Sequence, residues 1–169
     1  DAKAAGVTKV AALKDDVFAF DPEFFSILPL EAKNMDPSQK MTLELTWEAL
    51  ENARLNPASL KGKKVGVFLG ISDAYSRSFH METNAEGLNN LSLRSMMSNF
   101  IPARLSYHFD FVGPSWGVDT TCSSSLVAIH EACRSLINND SEMAIAGGVS
   151  LIFSDSSTSA LHAVGVLSP

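Results

Sequence analysis

The chain has 169 residues, 46% of them hydrophobic, and a formal net charge of −6. That is material for one domain or part of one, with an ample core, and the acidic balance argues against a nucleic-acid groove. No apolar run is long enough to span a bilayer and no secretory signal is found, so the expected setting is cytoplasmic, with no membrane partner.

Residues 1–14 carry small and charged side chains with little periodicity and read as an irregular approach with at most a short strand. In Phe18-Ala19-Phe20-Asp21-Pro22-Glu23-Phe24-Phe25 the Asp-Pro step predicts a turn feeding a short helix, with the aromatics as a buried anchor. Met35-Asp36-Pro37-Ser38-Gln39 is a helix start: Asp36 caps, Pro37 takes the first helical position and Gln39 can return the capping-box bond. The helix is expected to run to about Ala53. Met41, Leu45 and Ala49 make one apolar stripe and Leu43, Trp47 and Leu50 another, so this helix is expected to be clamped between other elements.

After the turn at Asn56-Pro57, residues 64–70 read as a strand buried on both faces, as in a parallel sheet. Residues 72–87 are polar and read as loop. Leu93, Met96, Met97 and Phe100 recur at helical spacing within 91–105, and packing is the expected role of the methionines. Arg104 and Asp110 are expected to form a buried structural ion pair. Residues 115–120 read as a short strand, and residues 142–152 as an apolar strand whose Gly147 and Gly148 permit a bulge or a close backbone approach.

Between those two strands lies Asp119-Thr120-Thr121-Cys122-Ser123-Ser124-Ser125-Leu126. Leu126, Ile129, Cys133, Leu136 and Ile137 recur at helical spacing, so a strand is expected to turn into a helix at Cys122. Helix N-termini present unpaired N–H groups and a positive dipole end, which favour thiolate over thiol and can hold an oxyanion. Cys122 is therefore a candidate nucleophile, set against the alternative of a small buried hydrophobe. Cys133, three turns along on the apolar stripe, is expected to be an inert core thiol. The two sulfurs are about 16 Å apart at 1.5 Å per residue, too far for a disulfide. His80, His108, His130 and His162 are scattered singly, so no metal-ligand spacing exists. His130 falls about 12 Å along the helix from Cys122 and is expected to point into its own packing environment.

The cysteine segment and its continuation Ile129-His130-Glu131-Ala132-Cys133-Arg134-Ser135-Leu136 closely resemble the active-site segment of β-ketoacyl synthase domains of multidomain polyketide and fatty acid synthases. Thr121 stands where the usual family form has Ala. The blocks Phe20 to Phe25, Met35 to Lys40, Thr46 to Glu51, Asn99 to Tyr107, Asp110 to Ser115 and Gly165 to Pro169 resemble the same family, so the likeness runs from about Phe18 to the end of the chain. It implies the thiolase-like fold, an α/β architecture of two similar halves in five layers (αβαβα). This chain would be an incomplete first half, a partial ketosynthase domain over 1–169 lacking the opening strand and the C-terminal half.

The resemblance implies decarboxylative Claisen condensation, with Cys122 accepting the acyl group from the phosphopantetheine of an acyl carrier protein. No cofactor would be bound by the chain itself. Its partners would be that carrier, other synthase domains and a second copy in a homodimer whose strands 115–120 meet at the two-fold axis. The family's two histidines, in a His-Gly-Thr-Gly-Thr block and an Asn-x-Gly-His block, and a nearby lysine do not occur here, so the chain alone is expected to be inactive. Rival readings are a noncatalytic scaffold or dimer partner of the same fold, and an unrelated cysteine hydrolase.

Overall fold

The computed structural model describes residues 13–14, 16–72, 97–152 and 155–167. The approach expected at 1–14 lies almost wholly outside these residues, as do most of the loop expected at 72–87 and the first part of the helix expected over 91–105.

The Asp21 carboxylate accepts the Phe24 N–H at 3.0 Å and forms the turn. The short helix follows later than expected, as α1, Pro29–Asn34. Of the aromatics, Phe25 is buried, stacked on Phe20 and edge-on to Trp47, whereas Phe24 is exposed. Helix α2, Pro37–Asn52, starts as its sequence dictates: Asp36 Oδ1 accepts the Ser38 N–H at 2.7 Å, Pro37 is first, and Ala53 is the C-cap. Only one of its apolar stripes is used. Leu43 and Leu50 are fully buried with Trp47 beside them, while Leu45, on the other stripe, is 52% exposed. Among the described residues α2 is thus covered on one side, and the expected clamp is half present.

Strand β1, Val65–Ile71, is buried at all seven positions. It pairs in parallel with β2, Ser115–Val118, and β3, Met143–Val149, giving the order β2-β1-β3. Parallel strands need crossovers, and the chain supplies α3, Phe100–Phe109, before β2 and α4, Ser124–Ile137, between β2 and β3. A last helix, α5, Asp155–Ala163, has no counterpart among the elements expected from the sequence. The parallel sheet bears out the α/β reading.

The two faces of β1 are built differently. Val65, Val67, Leu69 and Ile71 join Leu43, Leu50, Ile101, Leu105 and Phe109 in the main core, where each fully buried side chain contributes about 1.5–3 kcal/mol. Phe68 faces the other way, into a small cluster with Ala128 and Ala132 of α4.

Two expectations are corrected here. Helix α4 turns Ser124, Ala128, Ala132 and Ser135 toward the sheet, and its apolar stripe points outward: Leu126 is 71% and Ile137 77% exposed. Cys133 shares that outward side and is exposed among these residues, so it takes no part in the core they form, and His130 is exposed as well. Nor do Arg104 and Asp110 pair. Asp110 lies one residue past the end of α3 and is exposed. Arg104 instead reaches Glu31 Oε1 at 2.7 Å and Gln39 Oε1 at 2.9 Å, tying α3 to α1 and α2, while Asp110 ends α3 in the left-handed conformation.

Candidate active site

Cys122 lies just past the C-terminal end of β2, the end of a parallel sheet where the crevices of α/β proteins bind ligands. The strand does not pass directly into α4. A single 3₁₀ turn, Thr121–Ser123, intervenes, with Ser123 as the N-cap of α4. Cys122 is exposed with a free thiol.

The turn is held by the hydroxyls that follow the cysteine. Ser124 Oγ accepts the Thr120 N–H at 2.9 Å and donates to the Thr121 carbonyl at 2.7 Å. Ser123 Oγ donates to the Thr120 carbonyl at 2.8 Å, and Asp119 Oδ1 accepts the Thr121 N–H at 3.1 Å. Serine-rich sequence is therefore a demand of the turn as well as a helix signal. Among the described residues the Cys122 N–H has no protein acceptor, so it is free to donate to an incoming oxyanion.

Helix α4 reaches the sheet closely because glycines meet it. A Cβ on Gly70 would stand 2.6 Å from the Ser124 carbonyl carbon and the Ser125 nitrogen, and one on Gly148 would stand 2.9 Å from Ser125 Cβ. Gly70 pairs with Val118 on one side and Gly148 on the other. The helix start bearing Cys122 is thus seated on the C-terminal ends of β1 and β3. Of the two alternatives for Gly148, close approach is the one realised, and the β1–β3 register runs through it without a bulge.

Thr121 has φ +56°. A β-branched residue there is an outlier, at a cost on the order of 1–3 kcal/mol. The sequence carries no sign of this conformation, nor of the Ser124 bridge. Gly147-Gly148 signals the glycine seat in part, and nothing near Gly70 signals its other half.

No imidazole among the described residues bonds to the Cys122 thiol. His130 lies within α4, eight residues after Cys122 in sequence, and is exposed. His108 belongs to the other side of the sheet, its ring 5.3 Å from that of Phe25 and 4.8 Å from that of Phe109. Burial lowers its pKa, and the Lys61 and Arg104 charges lower it further. His162 lies in the last turn of α5. A cavity of about 510 Å³ lined by Phe25, Trp47, Lys61 and His108 has no residue of the cysteine turn in its wall. Among the described residues no group of three His, Cys, Asp or Glu side chains could hold a metal ion, and no helix is long and apolar enough to cross a membrane.

The profile of the family described as β-ketoacyl synthase, N-terminal domain, matches residues 1–169. A mycocerosic acid synthase-like polyketide synthase of Mycolicibacterium smegmatis is 42% identical over 164 residues, 96% of this chain and 8% of that protein. A phenolphthiocerol/phthiocerol polyketide synthase of Mycobacterium tuberculosis is 44% identical over 168 residues, 98% of this chain and 9% of its own length. Among solved structures, the ketosynthase from module 6 of the bacillaene synthase of Bacillus subtilis superposes with TM-score 0.78 at 39% identity, covering 92% of this chain and 26% of that one. An oxazolomycin ketosynthase domain of Streptomyces albus gives TM-score 0.78 at 37% identity, covering 89% and 26%. The chain thus spans less than a tenth of these synthases and about a quarter of these solved chains.

Proposed function

The chain belongs to the β-ketoacyl synthase family, through its N-terminal domain, and has the thiolase-like fold of ketosynthases in part; from that premise we propose that it carries the acyl-accepting cysteine of a condensing acyltransferase, and that this cysteine is Cys122. The observation that carries the reading is the position of Cys122: exposed, at the C-terminal edge of a parallel sheet, in a turn fixed by Ser124 and opening a helix.

In the proposed reaction the Cys122 thiolate attacks the thioester carbonyl of an acyl chain on carrier-protein phosphopantetheine. The pantetheine thiol leaves, and the chain becomes an acyl-cysteine. Thioester exchange splits one difficult condensation into two easier steps. The Cys122 N–H can receive the negative oxygen of each tetrahedral intermediate, a contribution of about 3–4 kcal/mol for one such donor. A malonyl-type extender then loses carbon dioxide, and the electron pair released from its carbon–carboxylate bond attacks the acyl-cysteine carbonyl. The thiolate departs, leaving a β-ketoacyl thioester on the carrier.

Proton handling is assigned to the two histidines of the family's His-Gly-Thr-Gly-Thr and Asn-x-Gly-His blocks, which do not occur in these 169 residues, and the chain alone is proposed to be inactive. The acyl carrier protein and neighbouring synthase domains are the proposed partners. A homodimer is proposed with β2 at the axis; β2 is an edge strand among the described residues, and the half-exposed Trp116 ring beside Phe68 would meet the second copy. Two unpaired thiols suit a cytoplasmic setting.

The test is mass spectrometry of the full-length protein after incubation with acyl carrier and then malonyl carrier. A stable acyl adduct converted to a β-ketoacyl carrier is the expected result. Release of free acid would point to a hydrolase, and no adduct would point to a scaffold.

A further inference from the structure

The cavity beside α2 and α3 has no part in the chemistry assigned to Cys122. Its volume of about 510 Å³ lies within the range of small-molecule sites, and no residue of the cysteine turn lines it. Separate stretches of chain meet there: Phe25 from the turn after Asp21, Trp47 from α2, Lys61 at the end of the 3₁₀ turn Pro57–Leu60, and His108 and Phe109 from the last turn of α3.

The walls are largely rings. Between ring centroids, Phe25 stands edge-on to Trp47 at 6.5 Å, Trp47 tilts against Phe109 at 6.4 Å, and His108 lies 5.3 Å from Phe25 and 4.8 Å from Phe109. Phe25 and Phe109 are anchored in the main core, so the walls are set before any guest arrives. Rings in this arrangement give a flat guest edge-on and offset contacts on several sides.

An aromatic box is also an ordinary receptor for a cation, and the charges here decide against one. Lys61 is the only charged residue in the lining, no Asp or Glu stands with it, and it makes no ion pair among the described residues. Burial lowers the His108 pKa most, and the positive charges of Lys61 and Arg104 lower it further. The imidazole is therefore neutral near pH 7 and offers one N–H donor and one acceptor. A cation would enter against both positive charges. A hydrophilic anion of higher charge would meet a single ammonium and otherwise mostly rings. A ring bearing one carboxylate uses what the cavity offers, ring against rings and anion against ammonium.

We propose that this cavity is a second binding site, separate from the cysteine, for a small aromatic carboxylate, its ring held among Phe25, Trp47, His108 and Phe109 and its carboxylate paired with Lys61. The proposal does not depend on the acyl-accepting role of Cys122.

The test is photolabelling of the full-length protein with para-benzoylbenzoate, an aromatic carboxylate that attaches where it binds, followed by peptide mapping. Label is expected on the peptides carrying Trp47 or Tyr107 to Phe109. Excess naphthoate should compete it away, whereas naphthamide, the same rings without the charge, should not. Lys61→Met changes an exposed residue and should lower this labelling about tenfold at a parental melting temperature and a parental rate of cysteine acylation. Lys61→Arg keeps the charge and should stay within about threefold of the parent. Absence of label from these peptides overturns the proposal, as does full labelling in Lys61→Met. Equal competition by naphthamide overturns it too, because the cavity would then be an unselective apolar surface. Cys122→Ala should label like the parent, and loss of label there would place the probe in the acyl site instead.

Discussion

The two faces of the central strand show what different kinds of packing accomplish. On one, Val65, Val67, Leu69 and Ile71 meet Leu43, Leu50, Leu105 and Phe109 in a thick apolar layer, the arrangement that burial free energy rewards and that tolerates small rearrangement. On the other, Gly70 and Gly148 let α4 come down onto the backbone, and the buried helix residues are serine and alanine. The apolar burial there is a small cluster, Phe68 against Ala128 and Ala132. What is gained is a fixed height and angle for the helix start, and so for Cys122. The first face makes the fold stable, and the second makes the site accurate.

The largest contrast comes from adding bulk to the thin face. Gly70→Val puts methyl groups where the Ser124 and Ser125 backbone now lies. Single-turnover acylation of the full-length protein should fall by about 100-fold or more, and a rate within about threefold of the parent would mean that α4 can ride up without disturbing the cysteine. Removing bulk from the thick face should act the other way. Leu43→Ala is expected to lose about 2–5 kcal/mol in denaturant unfolding, while acylation per folded molecule stays at the parental rate; a slower rate at full folding would show that the two faces are coupled.

The smallest effect concerns pH, and it belongs to the thick face. His108 has its pKa lowered by burial first and by Lys61 and Arg104 next. Above its ordinary value of about 6.5 the folded and unfolded forms are both neutral, and its contribution is fully present. As pH falls below that value the unfolded chain takes up a proton that the folded chain resists, so stability declines toward the lowered folded pKa. His108→Phe should flatten this part of the stability curve between about pH 7 and 5 without altering the pH profile of cysteine acylation. Equal acid sensitivity in both proteins would show that His108 does not carry it.

The same contrast explains which parts of the structure are legible in the sequence. Strand β1 declares itself as an unbroken apolar run between turns, and α2 through Asp36-Pro37 and the Leu43, Trp47, Leu50 stripe. Cys122 at a strand-to-helix junction is legible from the change of periodicity. The orientation of α4 is not. Periodicity identifies Leu126, Ile129, Leu136 and Ile137 as one face, and the rule that apolar faces turn inward then puts the wrong side on the sheet. The sheet admits only small residues there, because Gly70 and Gly148 approach the helix backbone, and that constraint is long-range in sequence. The Arg104 partnership with Glu31 and Gln39 is equally long-range and is hidden for the same reason. The left-handed Thr121 is illegible because threonine itself disfavours that conformation; only the surrounding hydrogen bonds impose it.

Cys133 supplies an internal control for the nucleophile assignment, since only Cys122 sits in the turn held by the Ser124 hydroxyl. The direct measurement is peptide mapping after brief exposure of the full-length protein to limiting acyl thioester, quantifying the adduct on each cysteine. Acylation is expected at Cys122 with Cys133 essentially unmodified, and the adduct should be lost in Cys122→Ala. Modification mainly at Cys133, or equal modification of the two, would contradict the assignment.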